Sequence, residues 1–128
     1  MIQKQKCIVM DVDGTLCLKK QPNESYADVA PRADVVATLR AYREAGFYII
    51  LNTSRNMNTH DGNIGRLTAD TAKVLMQWLE KHEIEYDELH VGKPWGGRGG
   101  FYVDDKAIRP DEFLRLSYEE IISLVGDD

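Results

Sequence analysis

Short apolar runs alternate with amphipathic stretches along most of the chain. Three runs of strand length, residues 7–10, 47–51 and 89–91, have few polar positions, which is typical of strands buried on both faces. Between them, apolar residues recur at helical spacing over residues 31–46 and again over residues 67–82. This alternation predicts a parallel sheet with right-handed crossover connections and helices on both of its faces.

The pattern continues past the third strand. A glycine-rich loop, residues 95–100, precedes a fourth apolar run, residues 101–103, which predicts a fourth strand. Apolar residues at helical spacing then predict a helix from about Tyr118 to Val125. We therefore expect one α/β domain over residues 1–128, with a three-layer, Rossmann-like arrangement of helices around a central parallel sheet.

Composition and charge narrow the class of protein. The 128 residues are 43% hydrophobic and 29% charged, which is typical of a folded globular domain, and the net charge of -5 argues against a nucleic acid as partner. A polar start, residues 1–6, and the interruption of the first apolar run by Asp11 predict no membrane insertion and a cytoplasmic location. Cys7 and Cys17 have the spacing of neither a disulfide framework nor a zinc site, so we interpret both as structural residues.

Each predicted strand is followed by polar residues suited to phosphoryl chemistry. The carboxyl ends of parallel strands meet at one edge of a sheet, so these residues are expected to converge in space. Two aspartates one residue apart at the end of a buried strand need a cation, and oxygen ligands of this kind suit Mg2+. The residues concerned are Asp11 and Asp13, then Thr53, Ser54 and Arg55, then Lys93, and finally Asp104 and Asp105.

Taken alone, each of these features has a simpler interpretation. Thr53 could cap a turn or helix, Lys93 could be a solvated charge, and Asp104 with Asp105 could form a turn after a strand. The alternating aspartates could belong to a calcium loop, although in such a loop the glycine comes later and a helix precedes it. The order of all four groups at strand ends favours a shared site.

The stretch Asp11-Val12-Asp13-Gly14-Thr15 after an apolar strand resembles the nucleophile motif of the haloacid dehalogenase (HAD) superfamily. The other three groups follow in the order of the remaining HAD motifs, and the resemblance extends from Cys7 to about Phe113. It implies a HAD-like hydrolase domain. Residues 16–30 and 56–87 are too short for an inserted cap, so the resemblance implies a cap-less member.

The resemblance also implies a role for each motif residue. Asp11 would attack phosphorus and form an aspartyl-phosphate, and Asp13 would act as general acid and base. Thr53 would bind the phosphoryl oxygens, and Lys93 would neutralise charge on nucleophile and phosphate. The Mg2+ ligands would be Asp11, Asp13, Asp104 and Asp105, with Asp105 bound directly and Asp104 mainly through water.

The sequence is further similar to cap-less HAD phosphatases associated with bacterial capsule polysaccharide synthesis. That similarity implies a phosphorylated sugar, polyol or lipid-linked saccharide precursor as substrate, bound in an open site that bulky substrates fit or that a second copy of the chain closes. Ser54, Arg55 and Trp95 are the residues we expect to bind it; Arg55 could meet a second anionic group, and Trp95 could stack on a sugar. Further loop candidates are His60, Asn63, Arg66, Arg98 and Arg109.

Two other functions stay open at this point. The first is a nucleotide or polynucleotide phosphatase, against which the acidic net charge counts. The second is a non-catalytic module that binds a phosphorylated ligand or is itself phosphorylated, as a receiver domain is. A receiver needs an acidic pair upstream of its phosphorylated aspartate, and residues 1–10 contain neither Asp nor Glu.

Overall fold

The computed structural model describes residues 6–128; most of the polar segment at the start of the sequence, residues 1–5, lies outside the described part. Three strands, β1 (Cys7–Met10), β2 (Tyr48–Thr53) and β3 (Glu88–Val91), form a parallel sheet in the order β1-β2-β3. Met10 pairs with Leu51 and Leu51 with Leu89, so the three strands end close to the same level. This is the mixed α/β, Rossmann-like arrangement that the alternating pattern predicts.

Helices connect the strands and continue after them. Their bounds are α1 (Ala33–Glu44), α2 (Ile64–Arg66), a π-helical segment (Leu67–Thr71) that leads directly into α3 (Ala72–Lys81), α4 (Pro110–Arg115) and α5 (Tyr118–Val125). The predicted crossover helices and the helix from Tyr118 are confirmed. The second crossover begins three residues earlier than predicted, because Asn63 caps α2 by accepting the Arg66 backbone N–H with its side-chain oxygen at 3.1 Å.

One face of the sheet is buried in the core. Alternate residues of β2, Ile49, Leu51 and Thr53, are buried, as strand geometry requires of residues that share a face. The apolar stripes of α1 and α3 are buried as well, including Leu39 and Leu75. Each such leucine contributes about 1.5–3 kcal/mol of hydrophobic stabilisation. Burial of the apolar stripes of α1 and α3 therefore stabilises the fold that contains the sheet.

The prediction of a fourth strand over residues 101–103 is wrong. Residues 101–103 form no strand in the described structure, and the side chains of Phe101 and Val103 are 81% and 90% exposed. Gly97 and Gly99 have φ of 78° and 76°, so the chain turns shortly before this run. Three β-favouring residues do not make a strand without a neighbouring strand to receive their hydrogen bonds. The sheet of the described residues therefore has three strands, where the sequence predicts four.

The chain divides into two compact units, one running to Trp95 and the other beginning at Gly96. The first unit contains the sheet with α1, α2 and α3, and the second contains α4 and α5. Between β1 and α1, residues 11–32 form turns and two isolated bridges, Asp13 with Cys17 and Cys17 with Pro31, and hold no inserted domain. None of the helices within residues 6–128 is long and apolar enough to cross a membrane.

Candidate active site

A tight turn after β1 places two carboxylates side by side. The Val12 carbonyl accepts backbone N–H groups from Thr15 at 3.1 Å and Leu16 at 2.8 Å, which folds the chain back directly after the strand. Gly14 adopts φ of 85° in this turn, a conformation that other residues rarely take. Val12 is fully buried, whereas Asp11 and Asp13 are only partly buried, so the turn anchors itself in the core and leaves its acidic side chains accessible.

Asp11 lies between a cation and a hydroxyl. Its Oδ1 is 3.4 Å from the Lys93 Nζ, and its Oδ2 accepts a hydrogen bond of 2.9 Å from the Thr15 hydroxyl. The Asp11 side chain is 36% exposed, and that of Lys93 is 19% exposed. Asp11 is thus held in a fixed orientation, charge-balanced and open to solvent, which is the arrangement that a carboxylate nucleophile needs.

Lys93 reaches this position because β3 ends in a glycine turn. The Lys93 backbone N–H donates to the Thr53 carbonyl at 3.1 Å, which continues the pairing of β2 with β3 by one more bond. Gly92 has φ of 84°, and a Cβ there would collide with the side chain of Ile64. The structure therefore brings Asp11, Thr53 and Lys93 to one edge of the sheet.

Asp13 has a different partner. Arg55 donates to both of its oxygens, from Nε to Oδ2 at 3.1 Å and from Nη2 to Oδ1 at 2.8 Å. The Arg55 side chain is 1% exposed and that of Asp13 is 25% exposed. The Tyr26 ring lies 4.1 Å from the guanidinium carbon, a distance suited to a cation–π contact. Asp13 is therefore held in a bidentate, largely buried ion pair.

The three residues predicted to bind substrate lie in different environments. Arg55, expected in an open loop, is buried because its side chain turns inward onto Asp13. Ser54 is partly buried and its carbonyl accepts the Met57 N–H at 3.0 Å, so it begins the turn after β2. Trp95 is 48% exposed at the end of the first unit.

Thr53 is 1% exposed, and its hydroxyl oxygen accepts the Arg55 backbone N–H at 3.0 Å. Because a hydroxyl both donates and accepts, the Thr53 proton is left for another oxygen. The buried position of Thr53 follows from the alternation of β2, whose inward residues face the core. Thr53 is thereby a buried donor at this edge of the sheet, held by a hydrogen bond to the backbone.

The further loop candidates fall into two groups. In the first unit, His60 Nε2 lies 3.7 Å and Arg66 Nε 4.0 Å from Asp70 Oδ2, while Asn63 acts as the cap of α2. In the second unit, Arg109 is the N-cap of α4, and its backbone N–H donates to the Glu112 side chain at 2.8 Å. These contacts account for Asn63 and Arg109 as structural residues.

The predicted metal ligands are divided between the two units. Asp104 and Asp105 lie in the second unit, where Asp104 Oδ1 accepts the Lys106 backbone N–H at 2.8 Å and so forms a turn. Within residues 6–128 no three His, Cys, Asp or Glu side chains are grouped so as to hold a metal ion. The accessible Asp11 carboxylate fits a hard cation such as Mg2+, but Asp13 fits it poorly because Arg55 occupies both oxygens.

Two residues beside Asp13 were not predicted to belong to the site. The Cys17 thiol is buried, as expected, and its Sγ lies 3.4 Å from Asp13 Oδ1; burial, with the negative charge of Asp13, raises the pKa of this thiol to about 12. Burial also raises the pKa of Tyr26, so both groups stay neutral at physiological pH. Cys17 lies two residues past the Asp11–Thr15 motif, which is a signal of proximity to the site, whereas the loop position of Tyr26 carries none. Cys7, interpreted with Cys17 as structural, is only partly buried.

Comparison with known proteins identifies a relative of solved structure. The crystal structure of an MCSG target from Vibrio cholerae is 45% identical over 94% of this chain and 97% of that chain, with a TM-score of 0.89. The chain belongs to the same family as this Vibrio cholerae protein. No protein-family model matches the chain, and no curated protein matches it.

More distant structures share the fold. Two chains from structures of the Pnkp1/Rnl/Hen1 complex, one described as an RNA repair complex, are 21% and 23% identical with TM-scores of 0.50 and 0.51. This chain spans 28% and 35% of their lengths. At this level of identity the likeness concerns the fold, which is therefore shared with part of larger proteins.

Proposed function

We propose that the chain is a Mg2+-dependent phosphomonoesterase of the HAD type that works through an aspartyl-phosphate on Asp11. The observation that carries the proposal is the accessible Asp11 carboxylate with Lys93 at 3.4 Å and the Thr53 hydroxyl at the same edge of the sheet. A carboxylate cannot approach a phosphate dianion unless positive charge offsets the repulsion between them. Lys93 supplies part of that charge.

In the first step an Asp11 oxygen forms a bond to phosphorus while the bond to the leaving oxygen breaks. Asp13, in its protonated form, gives its proton to that oxygen, and the Thr53 hydroxyl donates to a phosphoryl oxygen. In the second step water attacks the aspartyl-phosphate and gives a proton to Asp13. The bond between Asp11 and phosphorus breaks, which frees phosphate and restores both carboxyl groups.

Asp11 would hold the Mg2+ ion with its accessible carboxylate. Metal binding by Asp104 and Asp105 stays a prediction from the sequence. When bound, Mg2+ supplies positive charge beside the nucleophile and the phosphoryl oxygens. Asp13 is poorly suited to hold the metal, because Arg55 already donates to both of its oxygens. Dependence of the activity on Mg2+ is a separate, testable part of the proposal.

The substrate class proposed is a phosphorylated sugar, polyol or saccharide precursor of capsule or other polysaccharide synthesis in the cytoplasm. Support comes from the motif resemblance, from the absence of an inserted domain between β1 and α1, and from the exposed Trp95. An aromatic side chain of this exposure can stack on a sugar ring. An open site of this kind also leaves room for a second copy of the chain to close it.

The alternative enzyme is a nucleotide or polynucleotide phosphatase. The fold that this chain shares with chains of an RNA repair complex is compatible with it. The net charge of -5 counts against it, because binding of a nucleic-acid backbone rests on clustered basic residues. A non-catalytic module that binds phosphorylated ligands is the other alternative. Release of phosphate over many turnovers distinguishes either phosphatase from this module, which would bind phosphate without releasing it catalytically.

The test is release of inorganic phosphate from sugar, polyol, nucleotide and polynucleotide phosphates, each with Mg2+ and with EDTA. We expect release from a sugar or polyol phosphate, and its loss in EDTA with recovery on added Mg2+. Preference for polynucleotide ends would replace the substrate class and leave the chemistry in place. Absence of release from every member of the panel would contradict the proposal.

Lys93→Met is expected to lower kcat about 10²-fold, because one fixed charge that stabilises the transferring phosphoryl group is lost. The variant keeps the length and apolar stem of the lysine. Lys73→Met, on the exposed surface of α3, is the matched control and should leave steady-state kinetics unchanged. Equal kinetics of the two variants would show that Lys93 plays no part in the reaction.

A further inference from the structure

Arg55 holds Asp13 in one orientation. The guanidinium donates in parallel to both carboxylate oxygens, at 3.1 and 2.8 Å, which is the fork geometry that fixes a carboxylate in plane as well as in position. A lysine, or a single hydrogen bond, would leave the carboxylate free to rotate. The pair is therefore built for orientation in addition to charge balance.

Arg55 is itself held from three sides. Its backbone N–H donates to the Thr53 hydroxyl, its guanidinium lies over the Tyr26 ring, and its Nη2 is 4.0 Å from the Cys17 sulfur. Its Nη1 is buried and has no hydrogen-bond partner within the described residues. A guanidinium enclosed in this way cannot turn outward to meet an anionic group of a substrate.

Two carboxylates two positions apart thus have two different cations. Asp11 has the more exposed Lys93 at 3.4 Å, a compact charge that leaves one side of the carboxylate open. Asp13 has the buried Arg55, whose Nη2 is 2.8 Å from Asp13 Oδ1. The Asp13 side chain remains 25% exposed. The two ion pairs thus give the two carboxylates different surroundings, which suit Asp11 as the nucleophile and Asp13 as the proton donor.

We infer that Arg55 is a positioning residue that aims Asp13 at the leaving oxygen, and that it does not bind the substrate. The inference rests on the proposed function, and it replaces the substrate-binding role that the sequence predicts for Arg55. In the first step the proton moves from Asp13 to the leaving oxygen as the bond from that oxygen to phosphorus breaks. Loss of Arg55 impairs this transfer and leaves the attack by Asp11 intact.

The test compares two leaving groups. An alkoxide needs a proton as it departs, whereas p-nitrophenolate departs as a stable anion and needs none. We expect Arg55→Gln to lower kcat/KM about 10²-fold for an alkyl phosphate, and less than about tenfold for p-nitrophenyl phosphate. Asp13→Asn should show the same contrast. Arg55→Lys, which keeps the charge without the fork, should fall between wild type and Arg55→Gln.

Adding Arg55→Gln to Asp13→Asn should cause no further loss with the alkyl phosphate, because a residue that acts through another contributes nothing once its partner is changed. This double variant also lacks the unpaired buried charge, so it serves where Arg55→Gln alone does not fold. Arg43→Gln is the matched control: it removes an Arg–Asp pair of similar geometry, with Asp87 at 2.8 Å, outside the site. It should leave both kcat/KM values at the wild-type level.

Equal losses on the two phosphates, or additive losses in the double variant, would overturn the inference while the proposed function stands. Those results would assign Arg55 to substrate binding or to a purely structural role. Failure of the wild-type protein to release phosphate from either compound would overturn the proposed function, and the inference with it.

Discussion

Asp11→Asn is expected to lower phosphate release on the order of 10⁴-fold or more with every substrate the wild-type protein accepts. The amide has nearly the same shape as the carboxylate, but its oxygen is a poor nucleophile and cannot form the phosphorylated intermediate. Because the Asp11 side chain is partly exposed, the substitution buries no unpaired group. The measurement is kcat at saturating Mg2+, with thermal unfolding recorded for the same preparation.

Asp34→Asn, in the first turn of α1, is the control for loss of one acidic side chain. It should retain wild-type activity. A second readout strengthens the assignment: the wild-type protein, quenched with acid during turnover, should carry phosphate on the peptide that contains Asp11, and Asp11→Asn should carry none. An Asp11→Asn variant that keeps even a tenth of the activity would show that another group attacks phosphorus.

Much of this site was predictable because it depends on topology more than on detailed packing. Parallel strands deliver their carboxyl ends to one edge, so Asp11, Thr53 and Lys93 could be placed together from strand assignments alone. The register confirms this, since Thr53 pairs with Val91 and Lys93 follows two residues later. The resemblance to the HAD superfamily implies a role for each of these residues, and substitution of Asp11 and Lys93 tests two of those roles.

The Arg55–Asp13 pair was not predicted, because it depends on which way a side chain turns at the end of a strand. A signal existed in the alternation of β2. Residues 49, 51 and 53 are buried, and Arg55 continues this period of two by one more step. A charged residue at such a position needs a buried counter-charge, and Asp13 was available.

The prediction of a fourth strand is wrong because it rests on local β-propensity alone. Residues 101–103 have strand-forming side chains, yet a strand also needs a neighbour to bond with. The short helix α4 is absent from the prediction, although two residues indicate where it starts: Pro110 at the first helical position and Glu112, whose side chain accepts the Arg109 backbone N–H. Six residues are too few for hydrophobic periodicity to reveal, so capping was the better indicator.

Asp13→Ala is expected to lower the free energy of unfolding by about 3 kcal/mol, or the melting temperature by about 10 °C. The substitution leaves the Arg55 guanidinium buried without a counter-charge, at a side chain only 1% exposed. Removing one partner of a buried pair costs far more than the pair's net contribution, because desolvation of the remaining charge is no longer offset. Urea or thermal unfolding followed by circular dichroism measures the effect.

Glu85→Ala provides the comparison, because Glu85 also pairs with an arginine, Arg43, at 3.1 Å, but its side chain is 78% exposed. Its loss should change the free energy of unfolding by no more than about 0.5 kcal/mol. The double variant Asp13→Ala with Arg55→Met should recover much of the lost stability, since it removes the buried charge together with its partner. If Asp13→Ala is no worse than Glu85→Ala, the pair is hydrated in solution, and a carboxylate held that loosely could not be aimed at a leaving group.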